Sequence, residues 1–230
     1  NLNEEKTDMT DTKGINTDRR NLLTNLGVAA AAGVAVSATS TSAQAQNSQQ
    51  GFVPKRHAGD AWMDQIAGNH RAFIDSSTLP GGGNAVRYAN NILFTHTQDY
   101  DGTDADYALI VCFRHAATPY GYNDAIWEKY GAVLSFGAQP TPTSNPMNTA
   151  SMANGQNTLA DLGARGVKFA VCSKATLVYA RRIASATQQD VEPVHAELMA
   201  SLIPNGRFVP AGVLSVTRAQ EYRYSLLYAE

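Results

Sequence analysis

Two runs in this chain are apolar almost from end to end: Tyr107-Ala108-Leu109-Ile110-Val111-Cys112-Phe113 and Val167-Lys168-Phe169-Ala170-Val171-Cys172. A strand with one wet face alternates apolar and polar side chains. A run without that alternation belongs in a sheet covered on both faces, which in practice means a parallel sheet under helices. The stretches between the runs carry helical spacing and serve as crossovers. The expected fold is α/β: a single three-layer domain with a mainly parallel sheet of about five strands and helices on both faces.

The remaining elements follow from local pattern. Ala72-Phe73-Ile74, ending in Asp75-Ser76-Ser77, reads as the first strand. Pro80 to Asn84 reads as a glycine-rich turn. Val86, Ala89, Ile92, Leu93 and His96 recur at three and four residues, which predicts a helix whose polar face carries Arg87, Asn90 and Asn91. After the strand 107–113, Thr118 suits an N-cap and Pro119 a first helical position. Ala125, Ile126 and Tyr130 then form that helix's inner face. Leu159 to Arg165 predicts a short helix closed by Gly166. Ser173 is placed to cap a helix carrying Leu177, Ala180, Ile183 and Ala184. Val194, Leu198 and Leu202 line another helical face, stopped at Pro204-Asn205-Gly206. Phe208-Val209 begins a fourth strand, 217–221 a short helix, and Ser225 to Tyr228 an edge strand. Residues 135–156 are rich in Pro, Ser, Thr, Asn and Gly. So long a break in a compact domain is either a disordered surface loop or a functional lid or oligomer arm.

The first 45 residues are set apart from the fold. Arg19-Arg20 is followed by Leu22-Leu23, by a mildly apolar Ala, Gly and Val run from Leu26 to Ala38, and by the small-x-small pattern Ala43-Gln44-Ala45. This is the layout of a twin-arginine-type export signal. A spanning helix needs about 20 apolar residues, and this run is shorter. The expectation is therefore a periplasmic protein with no stable membrane anchoring after cleavage. Residues 46–59 read as a linker, and residues 60–230 as the folded domain. With 18 Lys and Arg against 20 Asp and Glu and no basic stripe, nothing suggests a grip on nucleic acid.

In a parallel sheet, ligands meet the carboxyl ends of the strands. Cys172 ends one such strand where a helix begins. The partial positive charge of a helix N-terminus favours thiolate over thiol, and Lys174 adds to it. The alternative is a small buried cysteine packed under the helix. Cys112 sits deeper in its strand and reads as core, and a Cys112–Cys172 disulfide is not expected. His115 ends the neighbouring run. If the two strands are adjacent it approaches Cys172 and serves as base or as a thiolate-stabilising cation, unless it is simply hydrogen-bonded at a strand end. The five histidines are scattered and no Cys-x-x-Cys occurs, so neither a metal nor another cofactor is called for. The candidate site is Cys172, His115 and Lys174.

The segment Gly166 to Ala175 is similar to the strand–Cys–helix segment of DsrE-like proteins. Val209-Pro210-Ala211-Gly212-Val213-Leu214 with Arg218-Ala219-Gln220 resembles that family's terminal segment. Asp75 before a glycine turn and the helix with Asn90-Asn91 are similar to the family pattern, and Arg114-His115 with Asn123 to Tyr130 resembles its exported branch. The resemblance covers roughly residues 60–230 and implies a small parallel α/β domain assembled as a homo-oligomer, a trimer or hexamer. It also implies that Cys172 is a persulfide-carrying cysteine, with a sulfur donor or acceptor protein or a small anion as partner. Two functions follow as expectations. One is an exported thiol or persulfide carrier. The other is a non-catalytic periplasmic small-ligand-binding or assembly module in which Cys172 is packing.

Overall fold

Five strands run parallel through the domain: β1 (His70–Ser76), β2 (Tyr107–Phe113), β3 (Lys168–Cys172), β4 (Gly206–Val209) and β5 (Ser225–Ala229). They lie in the order β4-β3-β2-β1-β5, every pairing parallel. The computed structural model describes residues 53–148 and 158–230. The export-type segment, the start of the linker and residues 149–157, which include the end of the long loop, lie outside the described residues. No helix among the described residues is long and apolar enough to cross a membrane.

The helices are α1 (Trp62–Gln65), α2 (Leu79–Asp99), α3 (Asp124–Leu134), α4 (Leu159–Ala164), α5 (Ser173–Thr187), α6 (Val191–Met199) and α7 (Gly212–Glu221). They form two layers around the sheet. Ile74, Leu109, Val111, Phe113 and Phe169 point to one face, where α2, α3, α5 and α6 bring Leu93, Trp127, Ile183 and Leu198. Phe73, Ala108, Ile110, Cys112 and Ala170 point to the other, under Met63 of α1 and Ala219 of α7, with Tyr222 and Tyr224. Strand residues of odd and even position thus serve different cores, which is why the runs show no polar alternation.

Several local expectations are corrected by tertiary packing. Gly81-Gly82-Gly83 is not a turn but the first turns of α2. Thr78 caps that helix by accepting the Gly81 N–H at 2.9 Å. A methyl group on Gly81 would stand 2.5 Å from the Ala229 carbonyl oxygen, and one on Gly82 would stand 2.5 Å from the Tyr120 ring. The glycines therefore allow close approach inside a helix that Thr78 and Pro80 start well. Asn90 is buried rather than on a polar face, and it accepts from Arg165 at 3.3 Å. Arg165 is in turn held by both oxygens of Asp104, at 2.7 and 2.8 Å.

Thr118 does not cap a helix, and Pro119 does not open one. Both lie in a 3-10 stretch, His115–Gly121. The cap of α3 is Asn123, whose side chain accepts the Ile126 N–H at 3.3 Å. Ala125 is consequently exposed, and Trp127 joins Ile126 and Tyr130 on the inner face. The 3-10 stretch exists because the chain must cross back over β3. Gly121 lies so close to it that a methyl there would sit 2.5 Å from Val171. Leu202 lies beyond the end of α6 and pairs with Tyr122 in an isolated bridge. Part of the linker is tied down: Tyr222 donates to the His57 carbonyl at 3.3 Å, and Arg56 lies 4.3 Å over the Tyr222 ring. In the long loop, fully buried Asn145 donates to the carbonyls of Tyr120 and Tyr122, both at 2.8 Å, which pins residues up to Asn148 to the domain.

Candidate functional site

The helix after β3, α5, packs on one face of the sheet, and the helix after β4, α7, packs on the other. Adjacent parallel strands whose following helices part in this way leave a crevice at their carboxyl ends. A cavity of about 510 Å³ opens there. Its walls come from four places: Arg114, His115 and Ala116 after β2; Phe136 after α3; Cys172 with the first turns of α5; and Ala211 and Val213 after β4. All three residues singled out from the sequence, Cys172, His115 and Lys174, line it. β2 and β3 are neighbours, and Arg114 and Cys172 stand one residue past their last register pair, Phe113↔Val171.

Cys172 itself, not Ser173, is the N-cap of α5: Ala175 N–H donates to Sγ at 3.4 Å. The residue is 7% exposed, so its access is through the cavity. Its backbone is fixed by a buried relay in which Tyr122 donates to Thr176 Oγ1 at 2.9 Å and Thr176 donates to the Cys172 carbonyl at 3.0 Å. No hydrogen bond joins the His115 ring to Sγ. The two share the cavity without a direct link. Cys112 faces the opposite core, fully buried. Burial, then the negative charge of Asp75, pushes its thiol up well above the ordinary value. Both cysteines are free.

The floor is Arg114, held in an ion pair. Asp75, at the end of β1, accepts from Nε and Nη2 of Arg114 at 2.8 Å each. The hydrogen bond to Asp75 raises the Arg114 pKa, so the guanidinium stays charged. Backbone bonds from Arg114 N to Ser76 O and from Ala116 N to Ser77 O join the β1 and β2 ends beneath it. Gly212 at the start of α7 lies against Arg114, with room for no side chain: a methyl would be 2.5 Å from the arginine Cβ.

Of the outer wall, the sequence singles out only Lys174. Lys174, Val178 and Arg182 recur every four residues along α5, with Ala175 and Tyr179 beside them. That spacing was the signal in the sequence for one helix face turned to the cavity. The Arg182 guanidinium carbon lies 5.4 Å from the ring centroids of both Phe136 and Tyr179. The two rings meet edge to face, 6.3 Å apart at 74°. Tyr179 also donates to the Ala116 carbonyl at 3.4 Å, and burial pushes its phenol up to about 12. No carboxylate among the described residues pairs with Lys174 or Arg182. No carboxylate lines the cavity either.

Two wall residues hold positive φ, His115 at 52° and Phe136 at 55°. Phe136 sits where α3 ends, with Phe136 N–H bonded to Val133 O and Gly137 N–H to Ala132 O. That is a Schellman end with a phenylalanine in the left-handed position usually given to glycine. A left-handed non-glycine residue costs roughly 1–2 kcal/mol, and the ring remains 53% exposed at the cavity. Among the described residues no group of three or more His, Cys, Asp or Glu is arranged to hold a metal ion. Compared with models of known protein families and with curated proteins, the chain finds no match in either.

Proposed function

We propose that the protein is an exported thiol carrier in which Cys172 takes up sulfane sulfur as a persulfide. The observation that carries this reading is the setting of Cys172: it caps α5 through its own sulfur and opens into a cavity whose charged lining groups are all cationic. A helix N-terminus and nearby cations stabilise a thiolate, the form that attacks sulfur. The step balances with an anionic sulfane-sulfur donor. The Cys172 thiolate attacks the outer sulfur, an S–S bond forms to Sγ, the donor's own S–S bond breaks, and its electron pair leaves with the donor anion. Lys174 and Arg182 draw the donor in, and His115 offers a further polar contact at the mouth. Export rests on the Arg19-Arg20 leader pattern. Assembly of several copies is supported by exposed apolar side chains, Val178 and Val213 at the cavity and Leu214 next to Val213 in α7.

A second reading is favoured by the low exposure of Cys172: a non-catalytic binding module in which the thiol only packs. The rate of alkylation of Cys172 against pH, in protein carrying Cys112→Ser, separates the two. Fast labelling of the folded protein, and a gain of one sulfur atom by mass spectrometry after exposure to a sulfane-sulfur donor, is the expected result. Labelling only on unfolding overturns the carrier reading and leaves the binding module.

A further inference from the structure

The cavity's size and outer wall carry information about its occupant. At about 510 Å³ it falls in the range of cavities that enclose small organic molecules, roughly 300–1,000 Å³. An inorganic oxyanion would leave most of it empty. Its walls are largely apolar, with Phe136, Val178, Tyr179 and Val213 facing the space. Its charge is sparse. Arg114 is neutralised by Asp75, which leaves Lys174 and Arg182 without carboxylate partners among the described residues. Arg182 is held against two aromatic rings, an arrangement that fixes a guanidinium and keeps its N–H edge available.

The placement of Phe136 points the same way. The end of α3 has the hydrogen bonds of a Schellman motif, and glycine fits the left-handed position of that motif best. A phenylalanine there works against the local backbone preference while its ring stays more than half exposed at the cavity. The ring's contribution is to the wall rather than to the helix end.

We infer that the cavity binds an organic monoanion with a flat apolar body, of the aryl sulfonate or aryl carboxylate class. The body lies against Phe136, Tyr179 and Val178, and the acid group meets Arg182 and Lys174. This goes beyond the thiol-carrier reading, since an aryl sulfonate or carboxylate carries no sulfane sulfur to give, and the binding itself does not require Cys172 to react.

The test uses non-reactive probes on the full chain with Cys172→Ser. Benzenesulfonate and methanesulfonate are titrated and followed by NMR or calorimetry. Both carry the same head group, so their ratio reads the apolar wall alone. Benzenesulfonate is expected to bind at least tenfold more tightly. Phe136→Gly abolishes that preference while the protein unfolds at the same or a higher temperature, which excludes misfolding as the cause. Arg182→Gln weakens both probes. Equal affinities for the two probes, no binding of either, or an unchanged preference in Phe136→Gly overturns the inference. Because alkylation of Cys172 is measured separately, a slow thiol with intact benzenesulfonate binding removes the carrier reading and leaves this one standing. A fast thiol with no aryl preference does the reverse.

Discussion

Replacing Asp75 by Asn removes a charge and keeps the shape, and it tests whether the floor of the cavity is held by the ion pair. In the native protein both carboxylate oxygens accept from Arg114 at 2.8 Å. The Asp75 side chain is 5% exposed and that of Arg114 is 24% exposed. Asparagine keeps one acceptor but turns an N–H against the second guanidinium N–H. Severing a fully buried pair by removing one partner costs about 3–5 kcal/mol. Arg114 reaches the cavity and can recover part of its hydration there, so the expected loss is about 2–3 kcal/mol. With a urea m-value of about 2 kcal/mol per molar, that lowers the unfolding midpoint by about 1–1.5 M. Trp127, which is buried, reports the transition by fluorescence. Arg114→Gln made alone and in combination completes a double-mutant cycle, with an expected coupling of at least about 1.5 kcal/mol. A loss below about 0.5 kcal/mol for Asp75→Asn, or additive effects in the cycle, would refute the reasoning.

Other expectations concern the supports of the site and the opposite core. Gly121→Ala places a methyl 2.5 Å from Val171 and is expected to cost about 1–3 kcal/mol, read as a fall in the thermal midpoint; an unchanged midpoint would mean that the 3-10 stretch shifts freely. Thr176→Val leaves the buried Tyr122 hydroxyl without its partner and is expected to cost about 1–3 kcal/mol, with urea unfolding as the check. The raised Cys112 pKa gives a pH dependence whose sign is fixed. Below the ordinary thiol value of 9.0 both states hold the proton. Above it the unfolded chain releases the proton and the folded one retains it, so stability falls by about 1.4 kcal/mol per pH unit from this group. Cys112→Ala flattens that limb, and an identical alkaline slope in the variant would show that the thiol is not the source.

Much of this architecture is legible before folding is considered. The unbroken apolar runs identify β2 and β3 because both faces of a central parallel strand are buried, and burial acts on each residue separately. Leu93, Ile183 and Leu198 appear at helical spacing for the same reason. Capping was less legible. Thr118, Pro119 and Ser173 are good local candidates, but the caps used are Asn123, which follows the 3-10 stretch packed on β3 at Gly121, and Cys172, whose sulfur takes the Ala175 N–H. The glycines at 81–83 look like a turn in isolation. They begin a helix that Thr78 and Pro80 start, and the missing side chains of Gly81 and Gly82 let Ala229 and Tyr120, tens of residues away, pack close.

The site divides in the same way. Cys172, His115 and Lys174 are visible from their positions at strand ends, since a parallel sheet directs its ligands there. Phe136 and Arg182 are not, because what makes them one wall is the docking of the end of α3 onto the middle of α5. The amino-acid sequence by itself determines the layered α/β fold, the strand order's buried centre and the three polar residues at the crevice, all consequences of periodicity and burial along short stretches. Only the tertiary structure decides that α5 and α7 leave opposite faces of the sheet, that Asp75 neutralises Arg114, and that an aromatic and cationic wall closes the cavity. Those are contacts between residues tens of positions apart, which no local pattern encodes.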